Sequence, residues 1–296
     1  MENRTKYFLW LLAFFSLASI ILYALLLTGE QALYAEEEAR VIKQSPFASL
    51  ELEAKSIVVW DVVNNTAIYE KSADMPLPLA SLTKVMTALV AREAVVGDKI
   101  IKITVRDLEP DGDSGLSPGD EWSFKDLLDF TLLTSSNDGA RALASVAVSD
   151  KKFVEEMNKR AQTLGLSSSK YFNEHGLDQG ELNGGAYGSA RDMAKLFAYI
   201  IKNNNGLLEA TKYSELSFES GDKHYAAENT NDFVNQIPNI LASKTGYTEL
   251  AGGNLVIAFD PGLNRPIIVS VLGSSQEGRF SDTLKLIAAT MQYLQQ

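Results

Sequence analysis

The chain has 296 residues, 46% of them hydrophobic, and a formal net charge of −11. That length suits one well-buried domain with room for an anchor, and the acidic balance argues against nucleic acid as a partner. With no cysteine and only two histidines, His175 and His224, disulfide frameworks, thiolate nucleophiles and Cys-based zinc sites are excluded, and no metal or cofactor is expected.

Taken in chain order, Arg4 and Lys6 precede a stretch without charge from Tyr7 to Thr28, long enough to cross ~30 Å of hydrocarbon as a helix. Glu30 and Glu36–Glu38 follow it. The positive-inside rule then assigns residues 1–6 to a cytoplasmic tail and the rest of the chain to the outside. The run is longer than the roughly 7–15 apolar residues of a signal peptide, and Leu33-Tyr34-Ala35 is a poor cleavage site, so residues 7–28 read as an uncleaved single-pass anchor in the cell membrane. Residues 29–48 are polar and charged without a period and read as a linker. Residues 49–296 remain for the globular domain.

Ser56–Asp61 and Thr66–Lys71 are strand-like and joined through Asn64-Asn65, a plausible hairpin turn. Pro76 and Pro78 hold the approach to Ser81 extended, and a helix is expected from Leu82, with Leu82, Val85, Met86, Leu89 and Val90 on its buried face. The loop Glu109–Gly115 is acidic but lacks the glycine and the closing glutamate of a calcium-binding EF-hand, so it reads as solvated. Helices are expected at Phe124–Leu133, Asp138–Val148 and Lys151–Leu164, the last capped by Ser149 or Asp150, and at Ala190–Lys202, capped by Ser189. Residues 203–240 show no clear period. Ala242–Thr248, Gly253–Phe259 and Pro266–Leu272 read as strands, the last two linked by a hairpin signature at Asp260–Arg265. The final segment carries Phe280, Leu284, Ile287, Met291 and Leu294 as one stripe, which reads as a core-packing helix rather than a surface anchor. Strands from both ends of the chain with helices between them predict an α/β sandwich, an antiparallel sheet flanked by helices.

The chemistry concentrates around Ser81. On a helix, Ser81 and Lys84 are three residues apart, with side chains roughly 5–6 Å from each other on one face. Lys84 lies in an apolar run, where desolvation disfavours its charged form, and a neutral amine beside a hydroxyl is a base beside a nucleophile. Two further motifs follow: Ser135-Ser136-Asn137 and Lys244-Thr245-Gly246.

The order and spacing of these three motifs match the penicillin-interacting serine enzymes. Together with Leu79–Ala88, Asn173-Glu-His-Gly-Leu-Asp178, Ala190–Ala194, Lys244–Thr248 and Arg279-Phe280, the chain resembles the serine-type D-Ala-D-Ala carboxypeptidases, the low-molecular-mass penicillin-binding proteins, over about residues 50–290. The resemblance implies a transpeptidase/β-lactamase-like fold and a catalytic domain that removes the terminal D-Ala from peptidoglycan stem peptides. β-Lactams would act as inhibitors. It implies Ser81 as nucleophile, Lys84 as base, Ser135 as proton relay to the leaving D-Ala, and Asn137 hydrogen-bonded to Lys84 and the substrate amide. Lys244 would supply charge, Thr245 a hydroxyl for the substrate carboxylate, and Arg279 a further carboxylate contact. The backbone N–H groups of Ser81 and Tyr247 would form the oxyanion hole, with the strand through Gly246 pairing with the peptide. His175 is expected to structure its loop. The chain stops about 50 residues after Lys244, so the β-rich second domain of many family members has no counterpart within it.

Three rival readings are weaker. No Gly-x-Ser-x-Gly elbow supports a Ser-His-Asp triad. A class A β-lactamase needs a glutamate where Gln179 stands in Gln179-Gly-Glu181-Leu182-Asn183. A membrane-tethered β-lactam sensor or peptidoglycan-binding module would keep the same residues with little turnover.

Overall fold

The computed structural model describes residues 45–112, 115–147, 150–203, 206–262 and 264–296, together with Ser19 and Tyr23. Contacts part the chain into Met1–Ala48 and Ser49–Gln296, and every element named below belongs to the second unit. The expected tail, the apolar span apart from Ser19 and Tyr23, and most of the linker lie outside the described residues. Among the described residues no helix is long and apolar enough to cross a membrane.

Strands β1 (Ser56–Asp61) and β2 (Thr66–Lys71) pair antiparallel through a turn in which Asn65 takes a left-handed φ of 54°. The short strand β3 (Leu77–Pro78) leads into a 3-10 turn, Ala80–Leu82, and then helix α1 (Thr83–Ala94). The helix therefore starts one residue later than its apolar spacing suggests, and Ser81 sits in the tighter turn before it. β4 (Ile100–Lys102) pairs with β5 (Glu121–Ser123). Helices α2 (Phe124–Thr134), α3 (Asn137–Ala147) and α4 (Asp150–Thr163) follow. Of the two caps expected for α4, Ser149 lies outside the described residues and Asp150 is its first residue. Strands β6 (Lys170–Tyr171) and β7 (Ala186–Gly188) precede α5 (Ala190–Asn203), where the Ser189 hydroxyl accepts from the Asp192 N–H at 3.1 Å as the expected cap.

The stretch without a readable period contains a hairpin, β8 (Glu215–Ser220) and β9 (Lys223–Glu228). Its rings hold it to β5 and α2: Tyr225 lies 4.9 Å from Trp122 of β5, and Phe218 meets Phe130 of α2 edge-on at 5.8 Å. Asp120 accepts from both Lys223 and Tyr225 and ties the hairpin to the loop before β5. These are tertiary contacts, which hydropathy periodicity does not record.

Three long strands, β10 (Ile240–Thr248), β11 (Gly252–Phe259) and β12 (Ile267–Ser274), and a last helix α6 (Gly278–Leu294) complete the chain. The main sheet runs β10-β11-β12-β1-β2, antiparallel throughout, so the two ends of the sequence meet at the β12–β1 pairing. Val58, Trp60, Val256, Ala258 and Ile268 join one core with α1, α2, α3 and α5. Strand alternation turns Ile57, Val59, Ile257 and Val269 to the opposite face, where α6 packs on β11 and β12. The α6 stripe is rotated from its expected position. Phe280, Leu286 and Ile287 are buried, whereas Leu284, Met291 and Leu294 are half-buried. β10 is an edge strand, and its free side runs past the turn that carries Ser81.

Candidate active site

Ser81 is presented by a strained turn. Ala80 before it has a left-handed φ of 49°, a conformation that an L-alanine adopts at a cost of about 1–2 kcal/mol. Two groups hold that turn. The Leu79 N–H donates to the Ala186 carbonyl at 2.9 Å, and the fully buried Asn254 donates its amide to the carbonyls of Pro78 (3.0 Å) and Leu79 (3.2 Å) while accepting from the Gly273 N–H (2.8 Å). Asn254 lies opposite Gly246 on the neighbouring strand. A lone amide in the apolar run of β11 was the signal for it, and the sequence reading passed over it.

Lys84 points its amine at three acceptors: Ser81 Oγ at 2.9 Å, Asn137 Oδ1 at 2.7 Å and the His175 carbonyl at 2.7 Å. It is fully buried. Burial, and secondly the charge of Lys244, hold its pKa well below the usual lysine range, against the opposing pull of Glu174 and Asp138. His175 keeps a neutral ring, its pKa pushed down to about 4 chiefly by burial, and Nδ1 accepts from the Leu177 N–H at 3.1 Å. Its side chain thus structures the loop, and its carbonyl reaches the amine, a contact with no signature in residue type.

Ser135 ends α2 in the left-handed region, φ 63° and ψ 30°, which turns its hydroxyl towards Lys244 Nζ at 2.9 Å. Asn137 opens α3 two residues later. The two helices meet closely at Gly139, where a Cβ would stand 2.1 Å from Thr131 Oγ1. Asn137 Nδ2 donates to the Asp111 carbonyl at 2.6 Å, so the acidic loop touches the site, and its Asp113 and Ser114 lie outside the described residues.

Lys244, on β10, also donates to the Thr245 carbonyl at 3.0 Å and is buried. Burial, with the Arg279 charge beside it, pushes its pKa down to about 7. The burial that shapes the site thus disfavours the ammonium expected there. Thr245 Oγ1 lies 2.6 Å from Thr230 Oγ1, and Thr230 is fixed by its N–H to the Leu133 carbonyl at 3.2 Å. Thr230 was missed because it follows the unread hairpin. A Cβ at Gly246 would approach Ser81 N to 3.3 Å and Leu79 O to 2.8 Å, which measures how tightly the edge strand lies against the turn. Tyr247 is exposed. Arg279 donates to the Gly246 carbonyl at 3.1 Å and stacks on Phe280 at 4.6 Å, and its buried Nε has no protein partner.

The structure thus gathers Ser81, Lys84, Ser135, Asn137, Lys244, Thr245, Gly246 and Arg279 around one point. Glu181 and Leu182, from the β-lactamase-like echo, are exposed in a turn closed by the Gln179 N–H to the Asn183 carbonyl at 2.6 Å. A cleft of about 630 Å³ opens elsewhere, lined by Arg92, Phe124, Lys125 and Asp129, and contains none of these side chains.

The family model described as D-alanyl-D-alanine carboxypeptidase matches residues 40–276. D-alanyl-D-alanine carboxypeptidase DacF of Bacillus subtilis is 30% identical over 278 residues, covering 92% of this chain and 69% of that protein. DacC of Escherichia coli is 32% identical over 250 residues, covering 80% of this chain and 60% of its own length. Among solved structures, penicillin-binding protein D2 of Listeria monocytogenes in its cefotaxime-bound form superposes with a TM-score of 0.71 at 30% identity, over 81% of this chain and 98% of that one.

Proposed function

The chain belongs to the D-alanyl-D-alanine carboxypeptidase family, and we propose that this serine-type carboxypeptidase works through an acyl-enzyme on Ser81. The observation that carries the assignment is the buried Lys84 amine 2.9 Å from Ser81 Oγ. In its neutral form the amine takes the hydroxyl proton as Oγ attacks the carbonyl of the penultimate D-Ala. The oxyanion is received by the backbone N–H groups of Ser81 and Tyr247. Collapse breaks the peptide bond. Ser135, hydrogen-bonded to Lys244, hands its proton to the leaving D-Ala nitrogen and takes up in exchange the proton that Lys84 carries, which returns the amine to its neutral form. Water, activated by the same base, then releases the shortened peptide and restores Ser81.

The substrate end is bound by its carboxylate, with Thr245 offering a hydroxyl and Lys244 and Arg279 positive charge. The peptide lies along the free edge of β10 as an added strand. Its approach raises the pKa of Lys244, since a bound anion favours the ammonium.

A labelled penicillin tests the assignment. The adduct should map to the peptide containing Ser81, and Ser81→Ala should abolish it; an adduct on another residue overturns the reading. The full chain should also release D-Ala from a Lys-D-Ala-D-Ala peptide, whereas acylation without release would mark a β-lactam sensor.

The second part of the proposal is topological. Arg4 and Lys6 before the uncharged run to Thr28 support a single-pass anchor with the catalytic domain outside the cytoplasm. Mass analysis of the mature N-terminus decides it, and a chain beginning near Glu36 would mean release.

A further inference from the structure

Behind Lys84 lies a charge that acyl transfer as described does not use. The segment Asn173–Gly176 is fastened against α1 by Lys84 Nζ to the His175 carbonyl and by Thr87 Oγ1 to the Glu174 carbonyl at 2.6 Å. Gly176 closes it, with the Asn173 side chain accepting its N–H at 2.6 Å. A Cβ there would stand 2.0 Å from the Ala80 carbonyl, so this segment also touches the nucleophile turn. The fastening carries the Glu174 carboxylate into the protein, where Glu174 is 2% exposed. Arg141 of α3 meets it at 3.0 Å and reaches Glu109 at 3.8 Å.

A buried carboxylate is costly unless its neighbours favour the charge. The charged groups that act on the Lys84 amine are Lys244 of β10, Asp138 of α3 and Glu174 of the fastened segment, while Arg141 of α3, paired with Glu174, and Asp111 of the acidic loop act on the neighbouring neutral His175. Lys244 and burial press the amine towards neutrality, while Glu174 and Asp138 oppose them. A base that is pressed too far holds a proton too weakly to take one from a hydroxyl.

We infer that Glu174 is a positioning residue for the acyl transfer: its buried carboxylate is the counter-charge against which the Lys84 amine works, and Arg141 sets how much of that charge Lys84 senses. The inference rests on Lys84 being the base.

The experiment is the pH dependence of the second-order acylation rate by a fluorescent penicillin, on the full chain, with melting curves to check folding. Glu174→Gln keeps the shape and a hydrogen-bond acceptor for Arg141 but removes the charge. Its acid limb should move to lower pH by roughly one unit, and its plateau should fall several-fold as the base weakens. Arg141→Gln should move the acid limb the other way, and Arg141→Lys should restore it. The variants are independent, so either one that folds decides. A limb that stays at the wild-type pH in a folded Glu174→Gln or Arg141→Gln, or shifts of the same sign in both, overturns the inference. Lys84→Arg separates the two levels. If it acylates like the wild type, the base assignment falls and this inference with it. If it is inactive while the limbs do not move, this inference alone falls.

Discussion

Lys84 and Lys244 are the same functional group buried twice, and their neighbours separate them. Lys84 faces three oxygen acceptors, one of them the Ser81 hydroxyl. Lys244 faces one hydroxyl and one carbonyl, with Arg279 alongside. Arginine keeps its charge and offers no accessible neutral form. Lys84→Arg should therefore lose penicillin acylation almost wholly, while Lys244→Arg retains a measurable fraction; equal acylation rates in the two would remove Lys84 from the role of base. The pH profile of D-Ala release carries a second expectation. Where activity needs Lys244 charged, kcat/KM for the free enzyme should decline on an alkaline limb below the ordinary lysine range, since Lys244 is pushed down to about 7. Removing a neighbouring positive charge raises the pKa of a cation, so Arg279→Gln should move that limb upward. The limb of kcat should lie above that of kcat/KM, because bound carboxylate favours the ammonium. Coincident limbs, or no movement in Arg279→Gln, would show that another group controls the decline.

The turn before α1 owes its shape to elements far away in sequence. Ala80 stays left-handed because Asn254 on β11 and the carbonyl of Ala186 on β7 hold the residues around it. Asn254→Ala would take away the partner of the half-buried Pro78 carbonyl and of the buried Gly273 N–H, and leave the Leu79 carbonyl with the Leu82 N–H at 3.2 Å. A loss of about 2–4 kcal/mol in stability is expected from that alone, with slower acylation in the fraction that folds. Denaturant melts and the acylation rate read the two effects, and a variant as stable as the wild type would show that the turn holds itself. Gly246→Ala acts from the other side. Its methyl group meets Leu79 O at 2.8 Å, so the edge strand and the turn must move apart. A displacement approaching 1 Å at a reacting group costs on the order of 10²-fold in rate, and acylation should fall by that order while the melting curve changes little. Full activity would mean that the edge strand does not set the position of Ser81.

For the molecule as a whole, burying Lys244 couples stability to pH. Its folded pKa of about 7 lies below the model-peptide value of 10.5. Between those values the unfolded chain binds more protons, so this residue's contribution to stability becomes more favourable as pH rises through the window and is least favourable below it. Lys244→Met removes the coupling. The variant should gain most over the wild type near pH 7, and the advantage should shrink by up to about 1.4 kcal/mol per pH unit on the way to pH 10. A difference between the two proteins that is constant with pH would mean that Lys244 titrates normally.

The amino-acid sequence alone determined most of the longer elements and the residue types of the candidate reacting groups. Apolar spacing located α1, α2, α5 and the sheet strands to within a residue or two, because burial of one face or of both writes a period into a strand or helix. Ser81 and Lys84 were legible as a hydroxyl and an amine one helical turn apart, and Ser135, Asn137 and Lys244 through the motifs that carry the family resemblance. The tertiary structure decided the rest. Asn137 reaches Lys84 across 53 residues of chain, His175 across 91, and Ser135 meets Lys244 across 109. Three kinds of contact had no pattern to betray them: a backbone carbonyl as acceptor, the β8–β9 hairpin held by rings, and the carboxylate of Glu174 turned inward. A backbone carbonyl has the same chemistry in every residue, and a side chain's charge state depends on what the fold packs around it.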